Sequence, residues 1–130
     1  ELKHLTHQLN IDKSVKFLGF KSHEEMNQYL PCSQALLINT RQDNNMVSIP
    51  ESVVCGTPVI TNSIPTNSGM ITKNHLGIVK DNWNEDTLAE FVHISSTYWQ
   101  NCIQYRENLS SKHHATLLIE QFMRFSGGQK

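Results

Sequence analysis

Asp43 and Glu51, with seven residues between them, are the carboxylates in this chain best spaced to work on one polar ligand. Glu51 follows Ser48-Ile49-Pro50, which has the marks of a helix start. Ser48 and Glu51 have capping-box spacing, and Pro50 suits a first turn, where a missing N–H leaves no bond unmade. The free N–H groups of a helix start attract anions, and a carboxylate beside them accepts hydrogen bonds from sugar hydroxyls. The backbone of Met46, Val47 and Ser48 lies between the two acids, and Arg41 adds a cation just before them. Such a unit suits a ligand that is phosphate at one end and sugar at the other. Taken alone, the stretch also fits an ordinary capped helix of an α/β domain.

The elements that must position these residues follow from periodicity and punctuation. Gly56 is a natural helix terminator and Thr57-Pro58 cannot continue a helix, so the one opening at Ser48 runs to about Cys55. Val59-Ile60-Thr61 begins a β-branched strand. Upstream, Leu2, Leu5 and Leu9 mark a helix over 2–9 closed by Asn10. Val15-Lys16-Phe17-Leu18 reads as a short strand broken by Gly19, and Ser22-His23-Glu24-Glu25 as a capping box. The helix it opens turns Met26, Tyr29 and Leu30 inward and ends at Pro31. Ala35–Asn39 has the continuous apolar character of a strand buried on both faces. A turn-rich loop, 62–68, leads to a short helix near 69–73 and a strand at Gly77-Ile78-Val79. Asn84 caps a long helix carrying Leu88, Phe91, Val92, Ser95, Tyr98, Trp99 and Cys102. Ser110 or Ser111 opens a last helix with Ala115, Leu118, Ile119, Phe122 and Met123 on one face, before a loose tail over 126–130. Strands alternating with helices predict an α/β, Rossmann-like parallel sheet covered on both faces. Ligands of such sheets bind beyond the carboxyl ends of the strands, where Arg41, Asp43, residues 46–48 and Glu51 fall.

Composition narrows the partners. At 130 residues the chain is long enough for one domain with a real core. A net charge of -1 gives no electrostatic case for nucleic acid or an anionic membrane surface. No run reaches the roughly 18 apolar residues of a spanning helix. Cys32, Cys55 and Cys102 lack metal spacing and read as reduced cytosolic thiols, two of them in the core. The seven histidines include His113-His114, neither of which has a ligand partner at i+4, so scattered surface imidazoles rather than a zinc site are expected. The chain opens at Glu1 inside an amphipathic pattern, as a fragment would.

The order Val15-Lys16-Phe17-Leu18-Gly19, Ala35–Asn39, Asp43-x7-Glu51, Cys55-Gly56-Thr57-Pro58-Val59-Ile60 and Gly77-Ile78-Val79 resembles the C-terminal, donor-binding domain of retaining GT-B glycosyltransferases of the group 1 family. The resemblance covers about residues 2 to 100, and Glu-Ser-Val-Val-Cys-Gly-Thr-Pro-Val-Ile is its most specific part. The wording around it is similar to bacterial capsule and exopolysaccharide enzymes. It implies a partial donor domain over 1–125 and a UDP- or GDP-linked sugar as donor substrate, with no cofactor and no metal. The acceptor would be a glycan or lipid-linked species, reached through an N-terminal domain outside this sequence. A cytoplasmic location is implied, with room for peripheral association at the inner face of the membrane. The family's paired glutamates fall on Asp43, near the transferred sugar, and on Glu51, at the donor ribose. Its diphosphate cradle falls on the amides of Met46, Val47 and Ser48, and its base site on Gly19, Phe20 and Lys21.

Two departures stand out. Asp43 is one methylene shorter than the family's glutamate, and Asn44-Asn45-Met46-Val47-Ser48 replaces a Gly-Phe-Gly-Leu-Pro loop. They leave open a rival reading, a non-catalytic nucleotide-sugar-binding or assembly module, while a receiver-type domain would need acids after 15–18 where Gly19-Phe20-Lys21 stands. In the family two upstream strands lie between those at 15–18 and 35–39. This chain lacks them, together with the basic pair that neutralises the leaving diphosphate. Strand 15–18 is therefore expected either to pair directly with 35–39 through a right-handed crossover, the favoured outcome, or to pair in a swapped dimer. Strands 35–39, 59–61 and 77–79 should remain parallel neighbours in either case.

Overall fold

The computed structural model describes residues 1–127, apart from the side chains at 122 and 124–127. Three short strands, β1 (Leu36–Ile38), β2 (Val59–Thr61) and β3 (Gly77–Val79), form one parallel sheet in the order β1-β2-β3. Leu36 aligns with Val59 and Val59 with Gly77, in the order the sequence predicts. The helices are α1 (Leu2–Gln8), α2 (His23–Tyr29), α3 (Ser48–Val54), α4 (Ser68–Asn74), α5 (Glu85–Tyr105) and α6 (Ser111–Gly127). Short 3-10 turns follow α2 at Leu30–Cys32 and α5 at Arg106–Leu109.

β2 is the centre of the molecule, with every residue buried. Ile38, Ile49, Val53, Val59, Ile71, Leu76 and Cys102 form the core around it. α3 enters that core through Ile49 and Val53, one turn apart on its inner face. It ends as its glycine predicts: Gly56 takes φ 84°, its N–H bonds Val53 O, and Thr57 N–H bonds Ser52 O. β3 packs so closely on β2 that Gly77, at φ 151°, has no room for a Cβ, which would lie 1.9 Å from Val59 O.

Several expectations are corrected here. Val15–Leu18 forms no strand: it pairs with no strand among the described residues, and a run without a ladder partner leaves its backbone to water, although Lys3 of the first helix lies over the Phe17 ring at 5.9 Å. Neither direct pairing with β1 nor a right-handed crossover between them is formed. β1 is buried on only one face, because Leu37 is 49% exposed. Of the cysteines only Cys102 is in the core, where burial pushes its thiol up to about 12; Cys55 is half-buried and Cys32 exposed. Met26 is half-buried and Tyr29 exposed, so Leu30 alone of that trio is buried. On α6, Leu118, Ile119 and Met123 are exposed, while the Phe122 side chain lies outside the described residues. α6 runs to Gly127, and of the expected tail 128–130 fall outside the description.

Capping is formed where the chain makes it locally. Ser22 and Glu25 close a capping box on α2, Asn84 and Thr87 close one on α5, and Ser110 Oγ accepts the His113 N–H at 3.1 Å.

Candidate functional site

The carboxyl ends of the strands carry a polar seam that holds the surrounding loops in place. At the end of β2, Asn62 Nδ2 donates to Thr40 O at 2.6 Å and to Asn39 Oδ1 at 3.2 Å, joining β2 to the loop after β1. On its other side, the Ser63 N–H and hydroxyl both donate to Asp81 Oδ1, at 2.8 and 2.6 Å. These bonds to the charged form hold the Asp81 carboxyl below its ordinary value. Thr61 Oγ1 and Asn62 Oδ1 are buried in this seam and have no partner among the described residues.

The loop between Asp43 and α3 is fastened to the loop after β2. Asn67 treats Met46 as a strand neighbour would: its Oδ1 accepts the Met46 N–H at 3.3 Å and its Nδ2 donates to Met46 O at 2.9 Å. Asn44 O accepts from both the N–H and the hydroxyl of Thr66. The Met46 amide is therefore engaged within the protein. The Val47 and Ser48 amides donate to no group among the described residues. Of the three amides grouped by sequence, two are free.

Glu51 stands on the first turn of α3, half-buried, but it closes no capping box. Val47 is the N-cap in a helical conformation, which draws Ser48 inside the helix, and no side chain caps this end. The Glu51 carboxylate turns to another helix: Oε1 lies 2.6 Å from His23 Nδ1, on the first residue of α2. A partner 28 residues upstream displaces the local bond that the Ser48–Glu51 spacing predicts. This contact also draws the start of α2, which directly follows residues 19–22, to the first turn of α3.

Just ahead of α2, Gly19 has φ 67° and Phe20 is 95% exposed. Lys21 is committed within the protein: its Nζ lies 2.7 Å from Glu25 Oε1 and 6.0 Å from the Tyr29 ring centroid. The pair raises the Lys21 ammonium, chiefly by the hydrogen bond to Glu25, and lowers Glu25. Asp43 is half-buried and Arg41 exposed, and neither side chain forms a hydrogen bond or ion pair among the described residues. Among the described residues no group of three His, Cys, Asp or Glu side chains is placed to hold a metal ion. No helix among them is long and apolar enough to cross a membrane.

Sequence reasoning places Asn62 at a strand end but gives neither it nor Asn67, Thr66 or His23 a part in this architecture. The signal for the first three was their place in a turn-forming loop directly after the central strand. For His23 it was the N1 position of a capped helix, which fixes where its side chain starts.

A parallel α/β sheet with its polar loops gathered at the carboxyl ends of the strands defines a Rossmann-like fold of the GT-B type. The chain belongs to the glycosyl transferases group 1, whose family model matches residues 1–112. Among solved structures it is similar to a sucrose-phosphate synthase from Thermosynechococcus elongatus, at TM-score 0.74 and 18% identity over 99% of this chain and 34% of that one. It is also similar to WaaG, a glycosyltransferase involved in lipopolysaccharide biosynthesis, at TM-score 0.67 and 18% identity over 82% of this chain and 30% of that one. At such identities the likeness speaks for the fold. The chain spans about a third of the length of these structures. No curated protein matches it.

Proposed function

We propose that this chain is the donor-binding part of a retaining glycosyltransferase that moves a hexose from a UDP- or GDP-linked donor to a glycan or lipid-linked acceptor. The setting would be bacterial polysaccharide assembly of the capsule type, in the cytoplasm or at the inner face of the membrane. The observation that carries this reading is Glu51: a half-buried carboxylate beside the strand ends, with one oxygen fixed by the protein at 2.6 Å. A charged acceptor so placed suits the cis-diol of a donor ribose. The free Val47 and Ser48 amides would hold the diphosphate and stabilise the charge on it as the glycosidic bond breaks, an electrostatic role. Asp43, whose carboxylate has no partner among the described residues, would face the transferred sugar, and Arg41 would add positive charge at the same edge. Gly19 and Phe20 would flank the base. Lys21, held by Glu25, would contribute mainly through its backbone. The acceptor would come from a domain outside this sequence, and no metal or other cofactor enters the scheme.

Glu51→Ala in the intact enzyme tests it. Transfer should fall by an equivalent of roughly 2–4 kcal/mol in kcat/KM, the loss expected for a charged hydrogen-bond pair. Melting temperature measured alongside separates this from unfolding. Near-normal transfer with an unchanged donor KM would remove Glu51 from the site. Titration of UDP and GDP with and without EDTA tests the amide cradle, and a strict requirement for Mg²⁺ or Mn²⁺ would contradict it. The engagement of Met46 by Asn67 favours one alternative, nucleotide-sugar binding without transfer. Its signature would be normal UDP or GDP affinity in an intact protein that turns over no donor.

A further inference from the structure

We propose that His23 is a positioning residue for the donor ribose. Its Nδ1 lies 2.6 Å from Glu51 Oε1, an ion contact with the imidazolium that draws this oxygen toward α2 and leaves Oε2 as the oxygen presented to the cis-diol. This deepens the assignment of Glu51 above and rests on it.

The geometry argues for a built contact. His23 opens α2, and the first turn of that helix is tied down on three sides. Ser22 N–H donates to Glu25 Oε2 at 2.9 Å, Glu25 N–H donates to Ser22 Oγ at 3.3 Å, and Lys21 Nζ holds Glu25 Oε1 at 2.7 Å. Leu30, just beyond α2, is buried, and its carbonyl accepts the hydroxyl of the buried Thr57, which follows the end of α3. α2 is thus anchored to the α3–β2 corner at its far end, and His23 reaches Glu51 from its near end. Cys55, one turn along α3 from Glu51, bonds Asn27 of α2 at 3.6 Å and adds a third link between the helices. Glu51 is 31% exposed while the His23 ring is 83% exposed, so the carboxylate is the partner that needs a donor. A carboxylate held through one oxygen loses rotamer freedom before the ligand arrives, and binding then orders one side chain fewer.

The test uses the intact protein and isothermal titration of UDP against His23→Ala, His23→Asn, Glu51→Ala and the His23→Ala/Glu51→Ala double variant. Asn carries an N–H donor close to the position of Nδ1. The same series is run with 2′,3′-dideoxy-UDP, which keeps the base and diphosphate but has no diol. His23→Ala should weaken UDP binding about tenfold, the order expected when one partner that orders the carboxylate is lost, and His23→Asn should restore most of the affinity. Binding of the dideoxy nucleotide should be unchanged by His23→Ala. In the Glu51→Ala background, removal of His23 should add nothing. Equal weakening of both nucleotides would overturn the proposal in favour of a purely structural role for His23. No loss in His23→Ala while Glu51→Ala weakens UDP would overturn it and leave Glu51 at the ribose. No loss in Glu51→Ala would overturn both.

Discussion

Two stretches of this chain carry the same local signal and meet opposite fates. Val15-Lys16-Phe17-Leu18 and Val59-Ile60-Thr61 are both short, β-prone and ended by a turn former. The second is the middle strand of the sheet, wholly buried, with a partner on each side. The first lies exposed and unpaired, with Phe17 at 44% exposure. Propensity makes an extended backbone acceptable, but only a hydrogen-bonding neighbour turns it into a strand. The difference extends to function, because the polar seam that orders the candidate site grows from the end of the paired stretch.

The sharpest way to break the contrast is to push β3 away from β2. Gly77→Ala would place a Cβ 1.9 Å from Val59 O at a backbone angle that L residues rarely adopt. Its expected cost exceeds about 4 kcal/mol, the range reserved for such backbone conflicts, and the cooperative urea transition should vanish. A well-folded Gly77→Ala protein would mean that the two strands are not packed this closely.

Matched truncations compare the two stretches directly. Ile60→Ala removes a fully buried side chain from the centre of the sheet and should cost about 2–5 kcal/mol. Phe17→Ala, although it deletes more atoms, should change stability by less than about 0.5 kcal/mol, because its ring is already half in water. Similar urea midpoints for both variants would erase the distinction.

The seam gives a smaller effect. Asn67→Ala strips both partners from the Met46 backbone and should cost about 1 kcal/mol, with faster amide exchange at Met46. Unchanged exchange there would show that Asn67 does not brace the loop.

Smallest is the pH dependence of the β2–β3 junction. Ser63 holds the Asp81 carboxyl below its ordinary value of 3.8, so folding favours the ionised form. That contribution is complete above the unfolded value and lost as pH falls through the lower, folded one. Melting curves below pH 4 should therefore show a slightly weaker acid loss in Asp81→Asn than in the parent chain, and parallel losses would contradict it.

The sequence alone determined what depends on neighbours along the chain. Gly56 ends α3 in a left-handed turn because only a residue without Cβ adopts that backbone freely. The boxes at Ser22–Glu25 and Asn84–Thr87 close from within, and the Lys21 that also holds Glu25 takes the oxygen the box leaves over. The order of the three strands follows from complete, short connections between them. Tertiary structure decided the rest. The Ser48–Glu51 pattern is as good on paper as the Ser22–Glu25 one, yet His23 takes Glu51 because a second helix brings a nitrogen to 2.6 Å. Met46 loses its free amide to Asn67 across a fold that sequence spacing does not describe. Local hydrogen bonds can be read from three or four residues; which of them survive depends on charges and amides that only the packed chain brings within reach.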